Sequence, residues 1–265
     1  MNSDLRQQAA TSGSGPTRPS TSLPRIAAHD EVPRWQRIFW GVIIVAAVGT
    51  AAGCVLRIAT EFDVWHWWVP VAFVAGIAAA DFGSGLVHWA ADTWGRDDFP
   101  VIGSRLLVPF RVHHINPDDF LSRHFLDTNG DVAAAALPVL VYLFFVPLGS
   151  DWGEALVVFG TGLCAVGMFT NQIHQWAHMP CPPRAVSFLQ ATGILLGRVE
   201  HRAHHARPYN AHYCITTGWC NRPLERLGLF RALETLITRI SGAQPRQDDD
   251  RYEQRYGTGR LIGNG

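Results

Sequence analysis

From Ile38 to Leu56 the chain runs nineteen residues without a charge, and at ~1.5 Å of rise per residue such a run spans a hydrocarbon core as a helix. A second apolar run extends from Val64 to about Ala80 and continues toward His88, a third covers Val132 to Leu148, and a fourth Ala155 to Phe169. The expected architecture is therefore an all-α integral membrane protein with about four transmembrane helices. The first span begins too far from the N-terminus, and runs too long, for a cleaved signal peptide, so it reads as an uncut anchor. The segment Val186 to Leu196 is apolar but too short to cross. Beyond it, Leu224, Leu227, Phe230, Leu233, Ile237 and Ile240 recur at three- and four-residue spacing with Glu225, Arg226, Arg231, Glu234 and Arg239 between them. That period predicts an amphipathic helix, able either to lie on the bilayer surface or to pack on a folded cap.

Residues 1–34 are rich in Ser, Thr, Gly and Pro and hold too few apolar residues to offset the entropy of ordering, so they read as a disordered tail. Residues 35–243 form the membrane domain, and 244–265 a loose polar tail. The charges are segregated. Only Glu61 and Asp63 lie between the first two spans, and Asp151 and Glu154 between the last two, while Arg34, Arg37, Arg96, Arg105, Arg111, Arg123 and the arginines after residue 173 lie on the other side. Positive-inside bias then places both termini and the 91–131 loop in the cytosol, with Arg57 as the exception. The compartment would be the inner membrane of a bacterium or the endoplasmic reticulum of a eukaryote.

The chain has 22 basic and 22 acidic residues and a formal net charge of zero, so nothing in its charge implies a nucleic-acid partner. Five cysteines, with no C-x-x-C pair, exclude a disulfide scaffold and a cysteine zinc finger. Gly83-x-Gly85 lacks a third glycine and follows a span rather than a strand, which excludes a dinucleotide fingerprint. There is no P-loop, no C-x-x-C-H haem site and no G-x-S-x-G elbow.

Twelve histidines are many for this length, and every one but His66 falls on the cytosolic side of the predicted topology. His174-x-x-x-His178 on a helix sets two imidazoles on one face, His88-x-x-x-Asp92 sets an imidazole beside a carboxylate, and His201-x-x-His204-His205 repeats the spacing. His113-His114 can both serve one site from a bend. Three stretches distant in sequence thus meet at one membrane face. A catalytic zinc takes three protein ligands and water, and eight histidines and an aspartate exceed that, so two metals are the economical reading. A nitrogen-rich site with open positions suits iron, and a His-rich iron pair beside a membrane suits O2 activation against an unactivated C–H bond. Such chemistry needs two further electrons, and the chain offers no flavin or haem site, so an external electron donor is implied. His66 among Trp65, Trp67 and Trp68 reads as an interfacial residue and His29 as a tail residue. His124 and His212 fit either a ligand or a hydrogen-bonded structural histidine. Asp81 is either a neighbour of the site or a residue at headgroup level, and Asn171 and Gln172 are candidate donors orienting the imidazoles.

The runs that carry these residues are Asp81-Phe-Gly-Ser-Gly-Leu-Val-His88-Trp-Ala-Ala-Asp92-Thr-Trp-Gly95, Pro109-Phe-Arg-Val-His113-His114-Ile-Asn-Pro117, Thr128-Asn-Gly-Asp131, Thr170-Asn-Gln-Ile-His174-Gln-Trp-Ala-His178, His201-Arg-Ala-His204-His205 and Cys214-Ile-Thr-Thr-Gly-Trp219, with Asn221 and Pro223-Leu-Glu225. In this order, from about residue 76 to 250, they resemble the plasmanylethanolamine desaturases, the Kua/CarF-type membrane lipid desaturases. The resemblance implies a non-haem diiron oxidoreductase that uses O2 to convert the sn-1 alkyl ether chain of an ethanolamine ether phospholipid into the vinyl ether of a plasmalogen. It also implies a cytochrome b5-like or ferredoxin-like donor. The family histidines match His88, His113, His114, His174, His178, His201, His204 and His205 as metal ligands, with Asp92 and His124 as further candidates and no catalytic group separate from the ligands. The family's loop histidine falls one place before His124, where this chain has Arg123. A related plastid branch desaturates an acyl chain of phosphatidylglycerol, which is the alternative substrate class. From the residues alone, a zinc-dependent membrane lipid hydrolase using three of these histidines and Asp92 is a second alternative. A His-rich metal transporter ranks last, since its spans would carry polar residues.

Overall fold

The structure is a computed structural model that describes residues 32–62, 66–100 and 102–256; His29 and most of the N-terminal tail lie outside the described residues. Pro33 is extended, and the apolar run after it continues as one helix, α1 (Arg34–Glu61). The second run forms α2 (Trp68–Thr93), which carries its helix without a break through Asp81 to His88 and Asp92. A π-helical turn (Gly103–Leu107) leads into α3 (Val108–Ile115) and α4 (Pro117–Leu121). Then come α5 (Phe125–Phe145), α6 (Asp151–Gly167) and α7 (Thr170–His178). The cap is made of α8 (Arg184–Ala191), α9 (Arg198–His204), α10 (Asn221–Leu227), α11 (Leu229–Ser241) and α12 (Asp249–Tyr256). Among the described residues there is no strand.

Among the described residues three helices, α1, α2 and α5, are long and apolar enough to cross a membrane, and α6 with α7 makes a fourth span if the pair, bent by 41°, is taken as one. Large apolar side chains stay exposed along them, among them Val42, Val45 and Leu56 on α1, Val71 and Val74 on α2, and Phe145 on α5. Such a surface is stable against lipid rather than water, and the chain is an integral membrane protein. α1 packs on α5 and α2 on α6. The second pairing is close: a Cβ on Gly76 would fall on the carbonyl oxygen of Phe159, and one on Gly162 would lie 2.5 Å from that of Phe73. Reciprocal glycines let the two backbones touch. Ile44, Ala47, Ala51, Ala133, Leu140, Cys164 and Met168 fill the space between α1, α5 and α6.

Two boundaries differ from the hydropathy pattern. The third span begins at Phe125 rather than Val132 and ends at Phe145. Its polar first turns are satisfied by neighbours: Asp127 pairs with Arg37 of α1 at 3.0 Å, Asn171 of α7 donates to the Thr128 carbonyl at 2.7 Å, and Asn129 accepts from the Gln172 N–H at 3.0 Å. Polar residues with such partners belong inside a helix, although a hydropathy run counts them as loop. The fourth span begins at Asp151, where the Ser150 hydroxyl accepts from the Gly153 N–H at 3.2 Å and Asp151 and Glu154 complement the helix dipole. Arg57 also has a local explanation. It pairs with Glu61 one turn on, at 3.0 Å, and donates to the last carbonyls of α5, Phe144 and Val146, so it acts as a helix cap rather than a topology signal.

The C-terminal segment expected to be loose is docked through residue 252. The Arg246 N–H bonds the Thr93 carbonyl at 2.9 Å, and its guanidinium donates to the carbonyls of Ala91 at 2.7 Å and Gly95 at 2.8 Å. Arg111 of α3 pairs with Asp248 at 2.6 Å and lies 3.6 Å from the Tyr252 ring centre. The strap thus satisfies the orphan carbonyls at the end of α2, the helix that carries His88 and Asp92.

Candidate metal centre

Four elements converge where α2 ends. α2 supplies His88 and Asp92, one turn apart; α3 supplies His113 and His114 in its last turn; α7, turned inward by the bend after α6, supplies His174 and His178; α9 supplies His201 and His204, with His205 as its C-cap. His88 and His204 are fully buried, and His113, His174 and His201 nearly so.

The nitrogens form two groups whose candidate ligand atoms all lie within 4.8 Å of one another: His113, His174, His178, His201 and His205, and His88, His113, His114 and His204. His113 belongs to both. In the first group the Nε2 atoms of His174, His178 and His201 make a triangle with edges of 2.9, 3.2 and 2.8 Å, and His205 Nε2 lies 3.0 Å from that of His201. In the second, His204 Nε2 lies 3.0 Å from His88 Nε2 and 2.8 Å from His114 Nε2.

Hydrogen bonding alone cannot explain the triangle. An imidazole Nε2 either carries a proton and donates, or bears a lone pair and accepts. Around three nitrogens the roles cannot alternate, so at least one edge sets two donors or two acceptors together. A shared cation removes the conflict, because all three lone pairs then point at it. Two nitrogens bound ~2.1 Å from one ion at right angles lie ~3.0 Å apart, against ~3.4 Å at a tetrahedral angle. The edges of 2.8 and 2.9 Å lie near the first value and that of 3.2 Å between the two. Other orphaned atoms agree: His113 Nε2 and both carboxylate oxygens of Asp92 are buried without a hydrogen-bond partner, a condition that buried polar atoms rarely meet. Asp92 Oδ2 lies 3.3 Å from His88 Nε2 and 3.6 Å from the Nε2 atoms of His114 and His204, which places a carboxylate at the edge of the second group.

Burial, reinforced by the neighbouring imidazoles, holds His113, His114 and His201 well below the usual histidine range and pushes His204 and His205 down to about 3. All five are neutral at pH 7 with a lone pair free to ligate. His204 is also oriented, its Nδ1 held 2.8 Å from the Ala211 carbonyl, as ligating imidazoles usually are.

All eight histidines singled out by spacing are brought together; His124 is not. It is the N-cap of α5, where Nδ1 accepts the Leu126 N–H at 3.2 Å, and it belongs to neither group. His212 lies 3.5 Å from Glu200. At the other end of the bundle, His66 stacks on Trp68 at 5.6 Å and lies near Asp151 and Glu154. Gln172 and Asn171 bond α5 as described, so they fix α7 on its neighbour.

Sequence reasoning left the role of Asp81 open. Its carboxylate, fully buried in α2, accepts four backbone N–H groups from one loop: Thr216 at 3.1 Å, Thr217 at 2.8 Å and Gly218 at 2.9 Å on Oδ1, and Cys220 at 2.9 Å on Oδ2. Ser84, one turn on, accepts from the Ile215 N–H at 3.1 Å. The clamped loop begins at Tyr213, whose ring lies 6.1 Å from that of His88 and 5.4 Å from that of His204. A carboxylate inside a span demands partners, and that demand was the available signal.

Among the described residues, an apolar and a polar cavity flank the histidines. The apolar one, of about 410 Å³, opens between α2, α5 and α6, lined by Ala80, Gly83, Val87, Phe110, Val139 and Leu163 among others, with Ile215 of the clamped loop in its wall. The Phe110 ring meets that of His88 edge-on at 5.0 Å. The other, of about 290 Å³, is polar and reaches Asp92 and His114 past Arg111, Tyr209, Glu234 and Arg246.

Comparison with known proteins agrees with this geometry. Residues 77–248 match the lipid desaturase domain. The chain is 41% identical over 201 residues to the plasmanylethanolamine desaturase of Myxococcus xanthus, covering 73% of this chain and 71% of that protein. It is 43% identical over 193 residues to plasmanylethanolamine desaturase 1 of Mus musculus, with 71% of each chain covered. It is 34% identical over 182 residues to the chloroplastic fatty acid desaturase 4 of Arabidopsis thaliana, covering 66% of this chain and 54% of that one. No solved structure matches. With its motifs in order and its histidines gathered beneath the spans, the chain belongs to the lipid desaturase family.

Proposed function

We propose that this membrane desaturase acts on the sn-1 alkyl ether chain of an ethanolamine ether phospholipid and introduces the vinyl ether double bond. The observation that carries the reading is the apolar cavity between the membrane helices, which ends on Phe110 beside His88. A hydrocarbon chain lying there has its upper carbons at the histidines and its headgroup at the bundle end that bears the cap, which the arginine bias assigns to the cytosol. The names of the bacterial and mouse relatives favour the ether chain.

Two irons are the metals that fit. His174, His178, His201 and His205 would hold one, and His88, His114 and His204, with Asp92, the other, with His113, common to both groups, completing one of them; right-angled nitrogen spacing suits six-coordinate iron better than tetrahedral zinc. When bound, the pair supplies the activation of O2. The two hydrogens leave C1 and C2 of the chain, O2 is reduced to two waters, and the balance requires two electrons and two protons from outside. An external donor of the cytochrome b5 or ferredoxin class provides the electrons. The chain's own residues position the reaction: Val87 and Phe110 exclude water from the chain's approach, Asp81 and Ser84 fix the loop that puts Ile215 in the cavity wall, and the strap braces the end of α2 behind the ligands.

The test is expression in a host that lacks vinyl ethers, fed an alkyl ether lipid. Acid-labile vinyl ether product by mass spectrometry is expected, together with about two irons per purified chain. A desaturated phosphatidylglycerol acyl chain with ether lipids unchanged would move the substrate to the class suggested by the chloroplastic relative's likeness, and one zinc per chain without iron, after iron-replete growth, would favour the hydrolase.

A further inference from the structure

At 100° per residue, α11 carries three stripes. Phe230, Leu233 and Ile237 form the inner one and pack with Leu86, Trp89 and Trp94 of α2 and its C-cap, while Glu234 accepts from the Trp89 indole N–H at 2.8 Å. Next to it runs a second apolar stripe, Ala232, Leu236 and Ile240, rotated by about 90°. It has no cover among the described residues: Leu236 is 52% exposed and Ile240 78%, and Leu227, just before α11, is 77% exposed. Arg231, Thr235 and Arg239 form the third stripe, also exposed. The apolar arc of α11 is therefore wider than its seam on α2, and cations border its free half.

The level of this helix is fixed by what it packs on. Leu86 and Trp89 lie in the last turns of a membrane-crossing helix, so α11 is held where α2 leaves the hydrocarbon. We propose that α11 lies in the plane of the bilayer surface, with Leu236 and Ile240 among the upper acyl carbons and Arg231 and Arg239 against lipid phosphates, as a second membrane contact independent of the metal centre. Apolar residues bordered by arginine suit a lipid surface. A second protein fits less well, because three side chains are few beside the ~20–30 residues a side of a stable protein interface.

The experiment uses the full chain in lipid nanodiscs. In a Cys181→Ser, Cys220→Ser background, where the remaining Cys54, Cys164 and Cys214 are buried, an environment-sensitive fluorophore is placed at Ile240→Cys, with Leu236→Cys as a second reporter and Thr235→Cys, on the arginine stripe about 120° around the helix, as the headgroup-level control. Lipid carrying a nitroxide high on the acyl chain should quench the labels at 236 and 240 several-fold more than the one at 235, and aqueous iodide should show the reverse order. Equal access of iodide to all three overturns the proposal, as does protection of 236 and 240 from both quenchers, which would mean that protein covers the stripe. Arg231→Gln with Arg239→Gln should weaken nitroxide quenching at 240 in phospholipid discs, more in anionic than in zwitterionic ones; quenching unchanged in both overturns the phosphate contact.

Discussion

Replacing Asp81 by Asn keeps the shape of the side chain and removes its charge. The carboxylate now serves four backbone N–H donors, three on Oδ1 and one on Oδ2. If the amide oxygen takes the Oδ1 position, the three bonds there change from charge-assisted to neutral, at ~1 kcal/mol each, while the Cys220 N–H faces an NH2 group and loses its acceptor at ~1–3 kcal/mol. The sum is about 4–6 kcal/mol, limited by how far the loop relaxes. Since ~1.4 kcal/mol is tenfold in an equilibrium constant, opening of the 214–220 loop should rise about 10³-fold or more. Hydrogen exchange read by mass spectrometry on peptides covering 214–220 measures it. The amides of Thr216, Thr217, Gly218 and Cys220 should lose protection by that order while peptides from α1 and α5 are unchanged. Ser84→Ala, which removes a single acceptor from the same loop, should cost ~1 kcal/mol and so opens the loop less than tenfold; it serves as the check should Asp81→Asn fail to insert. Unchanged protection in Asp81→Asn would refute the reasoning that this carboxylate is what holds the loop.

Ala in place of His178 or His204 should abolish product and lower the metal content while membrane insertion stays normal; substantial activity in either variant would remove that residue from the ligand set. Trp in place of Ala136, which lines the apolar cavity, should cut turnover at least tenfold and leave the metal content intact, and wild-type turnover would mean that the chain lies elsewhere. Leu at Gly76 would collide with the Phe159 carbonyl, so the variant should lose thermal stability in detergent by a few kcal/mol, on the order of other overpacked contacts. His204 and His205 titrate near 3 in the folded chain and near ~6.5 when unfolded. Below ~6.5 the unfolded state binds more protons, so the metal-free fold keeps its full stability above that pH and loses up to ~1.4 kcal/mol per histidine per unit as the pH falls toward 3. Thermal midpoints of chelated protein between pH 7 and 5 should fall accordingly, and a flat profile would contradict the burial of these rings.

The features that the sequence revealed are those written in side-chain type and period. Long uncharged runs gave the spans, and i, i+4 histidines gave the two histidine groups, because helical geometry turns spacing into shared faces. What escaped was written in backbone. Asp81 and Arg246 both look like stray charges until the loop N–H groups or the α2 carbonyls they meet are placed, and no residue letter encodes those partners. The first turns of α5 were missed for a related reason: Asp127 and Asn129 are satisfied by Arg37 and by the Gln172 N–H, contacts between elements far apart in the chain. His124 stayed open between two readings because a ring nitrogen serves as well to cap a helix, as it does on α5, as to bind an ion.

The histidine set runs from residue 88 to residue 205, and neither group is complete without α9. During synthesis three spans can enter the bilayer before His201, His204 and His205 have left the ribosome. A metal held by these groups would therefore be captured after insertion, and a chain stalled or cleaved before α9 would be a membrane-embedded protein with an unfinished histidine cluster. On the proposed function, loading would then be a late step of biogenesis, at which supply of the ion as well as of polypeptide limits the competent protein.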